Sequence, residues 1–243
     1  FNAPVMAMHD IIRRGDLGAV AMIHLFSYGN FLYRPRRPEE LQTDLGGGAI
    51  FNQAPHQVDI ARLLGGDVEA VRAAAFVLDP ARPTEGAYMA FLHFASGAAA
   101  SLVFNGYDHF DSDEFHGWVG ELGEQKLPGG QGRGRAALAA MSDGAGELAF
   151  KQARAYGAKP AAPPLSWHHP HCGIVIVSGA KGDLRPFGDD ILFYGDDGMT
   201  TITVPPGRAF PDKGRVADEL VAALLHGRPP LHDGKWGKAT MEV

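Results

Sequence analysis

GGGAIFNQAPHQVDIARLLGG, residues 46–66, is the stretch from which the rest of the chain is best read. A glycine run, Gly46-Gly47-Gly48, lets backbone approach a ligand or a second domain closely. A short extended piece then presents Asn52. A helix over 55–64 opens at Pro55, whose missing N–H costs little in a first turn. Gly65-Gly66 ends it. His56 falls in the first turn, where the positive end of the helix dipole disfavours imidazolium, so the ring is expected to be neutral and basic at pH 7. Asp59, three residues on, shares the helix face and is placed to orient that ring. The alternative is a capping histidine with Asp59 paired to Arg62, because charge pairs at helix spacing are common.

Upstream, residues 2–15 read as a helix. Asn2 is a suitable N-cap, and Val5, Met8, Ile11 and Ile12 form one apolar stripe. Gly15 and Gly18 stop it. Residues 19–28 alternate as a strand. Residues 29–48 form a loop, since Tyr33-Arg34-Pro35-Arg36-Arg37-Pro38 cannot be helical before its prolines. Downstream, strands are expected over 68–78, 87–94, 98–107, 173–178, 191–194 and 200–204, with Asp196-Asp197-Gly198 as a hairpin turn. An amphipathic helix covers 215–225 and another starts at Gly234. Residues 121–165 are the least patterned, an irregular or mobile insertion with one helix around 136–156. The order is helix, strand, helix, a run of strands, then helix. That is an α+β domain spanning 1–243, a mostly antiparallel open sheet with helices on one face, not an alternating doubly wound fold.

Composition narrows the function. Hydrophobic residues make up 45% and charged residues 21%, an ordinary globular balance, and the net charge is −6. Neither a nucleic acid nor an anionic membrane surface would attract such a chain. The one cysteine, Cys172, excludes an intrachain disulfide, suits a reducing compartment and reads as a small buried hydrophobe. No run approaches the roughly 20 apolar residues a membrane span needs, and no leader pattern is present, so a cytoplasmic location is expected. The chain opens on Phe1 rather than Met, so either its start was removed or it is expected to be a piece of something longer.

Two candidate motifs fail on inspection. Gly130-Gln131-Gly132-Arg133-Gly134 lacks the last glycine of a dinucleotide fingerprint and follows no strand, so it reads as a loop. His168, His169 and His171, and separately His109, Asp111, Asp113 and His116, offer metal-ligand chemistry without a tight metal spacing. Pro170 makes neighbouring side chains diverge. No metal ligand is assigned; these histidines read as pocket or surface groups.

The 46–66 segment, with its polar residue four before His-x-x-Asp, resembles the Gfo/Idh/MocA family of oxidoreductases. Helix 2–15 followed by Gly15-Asp16-Leu17-Gly18-Ala19-Val20 is similar to the start of that family's second domain, and His232-Asp233-Gly234 to its closing segment. Residues 28–40, Phe51-Asn52-Gln53, Trp167-His168-His169-Pro170-His171 and the 227–234 segment resemble the branch of phthalate 4,5-cis-dihydrodiol dehydrogenases. The resemblance implies a substrate-binding C-terminal domain. A Rossmann domain holding NAD or NADP, with the family's proton-transferring lysine, would lie outside this sequence, so this piece alone is expected to be inactive and not to bind NAD. It implies His56 as the catalytic histidine at the reacting hydroxyl and Gln53 as a cofactor contact. It implies Asn52, Asp59, Tyr33, Arg34, Arg37 and His169 around the substrate. Asn52 stands where many members carry aspartate, and an amide cannot take a proton at neutral pH. The implied reaction moves hydride from a cyclic diol to a nicotinamide.

The bland alternatives stay open. Arg34, Arg36 and Arg37 are a fork for substrate carboxylates or a solvated loop balanced by Glu39 and Glu40. Tyr28, Phe31 and Tyr33 stack on a ring or belong to the core. The rival functions are a metal-dependent hydrolase or dioxygenase on the histidine clusters, and a non-catalytic interaction domain. An uncovered sheet face would call for a partner, so a homodimer or homotetramer through that face is expected.

Overall fold

Asn2 starts α1 (Ala3–Arg14) by accepting a hydrogen bond from the Val5 amide at 3.2 Å. In this computed structural model residues 2–141, 144–153, 166–205 and 214–243 are described. The α1 stripe buries Val5, Met8 and Ile11, and Gly15 ends the helix in the left-handed region at φ +78°. Eight strands form one sheet: β1 (Val20–Tyr28), β2 (Val68–Phe76), β3 (Ala87–Phe94), β4 (Ala99–Asn105), β5 (Ile174–Gly179), β6 (Gly182–Phe187), β7 (Asp190–Gly195) and β8 (Gly198–Thr203). Their order is β2-β3-β4-β1-β5-β6-β7-β8. Among the described residues only β1 and β4 run parallel, and the other neighbouring pairs are antiparallel. The expected α+β open sheet is the observed one.

One strand escaped the sequence. β6 reads Gly-Asp-Leu-Arg-Pro-Phe, with a turn residue at its start and a proline inside. Leu184 still points into the core. Pro186 is tolerated because β5 pairs with β6 only at 182–184, so the missing N–H faces no ladder partner there.

The helices lie on one face. α1 and α3 (Ala54–Gly65) cover Ile23, Leu25, Leu92, Leu102, Val177 and Leu184, all essentially buried. The other face is open. Its register runs Phe91, Ser101, His24 and Ile176 across β3, β4, β1 and β5. Met22, Met89, Phe91 and Met199 are exposed there, and a 3-10 turn at Ser112–His116 sets Phe115 edge-on to Phe26 at 6.1 Å.

Two helices stand where one was expected around 136–156: α4 (Arg133–Ala139) and α5 (Gly144–Gln152). Charge pins the second one, through Glu147 to Arg82 at 2.9 Å and Lys151 to Glu40. The remainder of that segment, 154–165, lies outside the described residues. α6 (Gly214–His226) keeps Leu220, Leu224 and Leu225 exposed, whereas α7 (Gly234–Met241) docks beside α3.

Around the glycine run the local expectation is corrected. Residues 48–52 are not extended but form a single helical turn, α2 (Gly48–Asn52). The glycines approach the protein's own chain. A Cβ on Gly48 would lie 2.2 Å from Glu85 Oε1, and one on Gly47 would lie 2.6 Å from the Glu40 carbonyl oxygen.

Candidate active site

A small cleft lies at the carboxyl ends of the parallel pair β1 and β4. Ser27 and Phe104, partners in register, form its sheet side. The start of α3 supplies Gln53, His56 and Gln57; Cys172 comes from the approach to β5, and Glu121 from the loop after the 3-10 turn. His56 is exposed at the mouth and its ring makes no hydrogen bond among the described residues. Gln57 is the anchor beneath it. This buried amide donates to the Val103 carbonyl at 3.2 Å and accepts from the Tyr88 hydroxyl at 2.9 Å, which fixes α3 on the sheet.

The structure separates the residues grouped from sequence. Gln53 and His56 line the cleft together. Asn52 is nearby in sequence, but its amide turns back to donate to the Gly46 and Gly48 carbonyls at 3.2 and 2.7 Å. Asp59 does not hold His56, nor does it pair with Arg62. Its carboxylate accepts from Trp236 Nε1 and from Thr240 Oγ1 at 3.3 Å, with His232 at 3.7 Å. Arg62 donates to the same helix, to Trp236 O at 2.9 Å and Thr240 Oγ1 at 2.7 Å. Both charges are drawn to α7, which packs where the sequence showed only a distant tail.

The arginine fork also divides. Arg36 is spent on the Phe31 carbonyl and lies 3.9 Å over the Phe31 ring. Arg37 faces solvent beside Glu39 and Glu40, away from the cleft. Of the three, Arg34 alone is tied to a cleft residue, donating from Nη2 to Glu121 Oε2 at 2.6 Å, and its Nε donates to Asn30 Oδ1 at 2.9 Å. Tyr33 is not free to stack on a ligand. It is buried, donates to Asp79, and is covered by Arg135 at 4.2 Å; burial and the Asp79 bond push its hydroxyl up to about 12. Phe31 is core.

His169 is buried in a second cavity, which shares Cys172 with the first, together with His116 and His171. Its ring Nε2 has no hydrogen-bond partner among the described residues. The two histidine clusters, treated separately in the sequence, meet here: His116 stacks on His171 at 4.2 Å. The stacked rings bond to backbone, His116 to Gly173 O at 3.1 Å and His171 to Val119 O at 2.9 Å. Among the described residues no three His, Cys, Asp or Glu groups converge to hold a metal. Cys172 borders both cavities, and burial pushes its thiol up to about 12, so it is no nucleophile.

Glu121 is the site residue that sequence reasoning missed. Its carrier loop is pinned by the Val119–Gln125 and Glu124–Trp167 bridges and by the His171 amide, which donates to the Glu121 carbonyl at 3.1 Å. Burial raises its carboxyl, but the Arg34 charge and hydrogen bond, with His171 and His56 nearby, outweigh that and hold it below the ordinary range. The sequence showed only a polar residue between Gly120 and Leu122, in the stretch with least pattern.

Residues 5–122 match the family described as GFO/IDH/MocA C-terminal domain. A curated relative from Comamonas testosteroni, 1-carboxy-3-chloro-3,4-dihydroxycyclohexa-1,5-diene dehydrogenase, is 39% identical over 249 residues, covering 100% of this chain and 62% of the relative. The chain thus spans less than two thirds of that protein's length. A solved structure from Bordetella bronchiseptica RB50, assigned as a dehydrogenase, is 40% identical with a TM-score of 0.92, over 100% of this chain and 63% of that one. An oxidoreductase from Agrobacterium radiobacter, solved with NAD+, L-tartaric acid and magnesium, shares the fold at 14% identity and a TM-score of 0.58, over 98% of this chain and 56% of that one. No helix among the described residues is long and apolar enough to cross a membrane. Residues 5–122 thus belong to the Gfo/Idh/MocA family, as its C-terminal domain, and identity of 39–40% to two dehydrogenases carries the likeness along the whole chain.

Proposed function

We propose that the full-length protein is an NAD(P)-dependent dehydrogenase of a carboxylated cyclic cis-diol, and that this chain is its substrate-binding domain. The observation that carries this is the conjunction of His56 at the mouth of a small cleft with 39% identity, along the whole chain, to a dehydrogenase named for a ring bearing one carboxylate and two adjacent hydroxyls.

His56 accepts the proton of one ring hydroxyl while the hydride leaves the same carbon, so a C–H bond breaks and a C=O bond forms. A nicotinamide, when bound, supplies the hydride acceptor. The residues fit such a ring: Gln53 has an amide with no other hydrogen bond among the described residues, and Leu45 and Phe51, flanking the glycine run, are 63% and 55% exposed. Most of the cofactor is held by a nucleotide-binding domain beyond this chain, consistent with the longer relatives. Arg34 anchors the ring carboxylate, since a guanidinium matches carboxylate geometry. Asn52, whose Nδ2 is spent on the Gly46 and Gly48 carbonyls, offers a substrate hydroxyl only its Oδ1 and takes no proton.

His56→Ala in the full-length protein should lower the rate of diol oxidation by roughly 10²–10⁴-fold. A change under threefold would reduce His56 to a structural residue. The 243-residue chain alone should bind no NAD in calorimetry.

A further inference from the structure

Arg34 and Glu121 form a charge pair whose carboxylate lines the His56 cleft, unlike the buried pair Arg82–Glu147. Arg82 and Glu147 are a structural pair: their side chains are 9% and 14% exposed and one guanidinium nitrogen contacts both carboxylate oxygens, at 3.0 and 2.9 Å. Arg34 and Glu121 are 44% and 39% exposed, and a single contact joins them. Nε of Arg34 is held by Asn30, and Nη1 has no partner among the described residues. A half-exposed pair of this kind contributes little to stability and is easily exchanged. Arg36, Arg62 and Arg135 are each committed to backbone carbonyls, of Phe31, Trp236 and Tyr107. Arg34 is therefore the guanidinium whose partner lines the same cleft as His56. Glu121 cannot drift away, because its backbone is tied to His171.

Resting on the dehydrogenase proposal above, we propose that Glu121 is a specificity-determining residue, an internal carboxylate that competes with the substrate's ring carboxylate for Arg34. A ring carboxylate takes the guanidinium through two nitrogens and displaces a partner that holds it through one. A neutral ring cannot make the exchange and leaves the pair intact. The Arg34 charge and hydrogen bond hold the Glu121 carboxyl below the ordinary range, so the competitor is charged at neutral pH.

The test is calorimetric binding to the full-length protein, with benzoate as the anionic ring and catechol as the neutral one. Glu121→Gln should tighten benzoate binding about two- to fivefold. Arg34→Gln should weaken it roughly tenfold or more. Catechol binding should change far less than benzoate binding in either variant. In the Arg34→Gln background, Glu121→Gln should give no further gain, because the competition runs through Arg34. A gain that persists without Arg34 would mean a general repulsive field and overturns the proposal, as does no gain in the single variant or no benzoate binding by the wild type. Glu121→Ala repeats the measurement should the amide variant fold poorly. Turnover of a carboxylated cis-diol by the wild type is measured separately. If turnover is absent the dehydrogenase reading fails; if turnover is present and Glu121→Gln gives no tightening, the competition alone fails.

Discussion

At the scale of single residues, the buried cluster behind the cleft sets how the fold responds to acid. Burial, helped by the His171 charge, pushes the His116 ring down to about 4. Unfolded, the same ring takes a proton near its ordinary value. Between those two points the unfolded chain binds more protons than the fold, so stability falls as pH drops through that window and is flat above it. His116→Asn should flatten the loss of stability between about pH 4 and 6.5, measured by urea unfolding across pH. Equal slopes in variant and wild type would contradict this. Burial pushes Asp113 the other way, up to about 6, although Lys126 and its hydrogen bond oppose the rise. His56 was legible from its place in a helix first turn. His116 stacking on His171 was not, because 54 intervening residues carry no mark of where the chain returns.

At the scale of elements, the glycine run shows how one motif can be seen correctly and explained wrongly. Left-handed Gly48 is packed against Glu85, and extended Gly47 against the Glu40 carbonyl, so these two glycines serve the chain's own packing. Gly48 has φ +82° and its Cβ would strike Glu85 and Thr84; Gly46 has φ +80° and open space around it. Gly48→Ala should therefore cost at least ~2 kcal/mol and Gly46→Ala about 1 kcal/mol, from backbone strain alone. Chemical denaturation of both variants checks the ranking, and equal losses would deny the contact with Glu85. The helices and strands around this turn were legible because apolar periodicity marks them. The direction of Asp59 was not, because a carboxylate on a helix turns toward whatever packs beside it, and α7 arrives 175 residues later.

At the scale of the whole molecule, the open sheet face is the feature with the widest consequence. An antiparallel sheet can leave one face to water, but such a face is usually polar. Here Met22, Met89, Phe91 and Met199 remain exposed along it. We propose that a second copy of the protein covers this face. Sedimentation should show a homodimer or homotetramer, and Met89→Glu with Phe91→Glu should shift it to monomer. A monomeric wild type at micromolar concentration would rule the proposal out. The sheet order and its one parallel pair place the cleft at the ends of β1 and β4, so architecture and site are one fact.

By itself the sequence determined the α+β order, the histidine at the head of α3 and the elements with clear patterning, though not β6 or the α2 turn, because periodicity, caps and turn residues are local properties of the chain. Tertiary structure alone decided which charges share a cleft. Arg34 and Glu121 stand 87 positions apart, and side chains that meet across such a distance are chosen by how loops close over the sheet, not by any spacing along the chain.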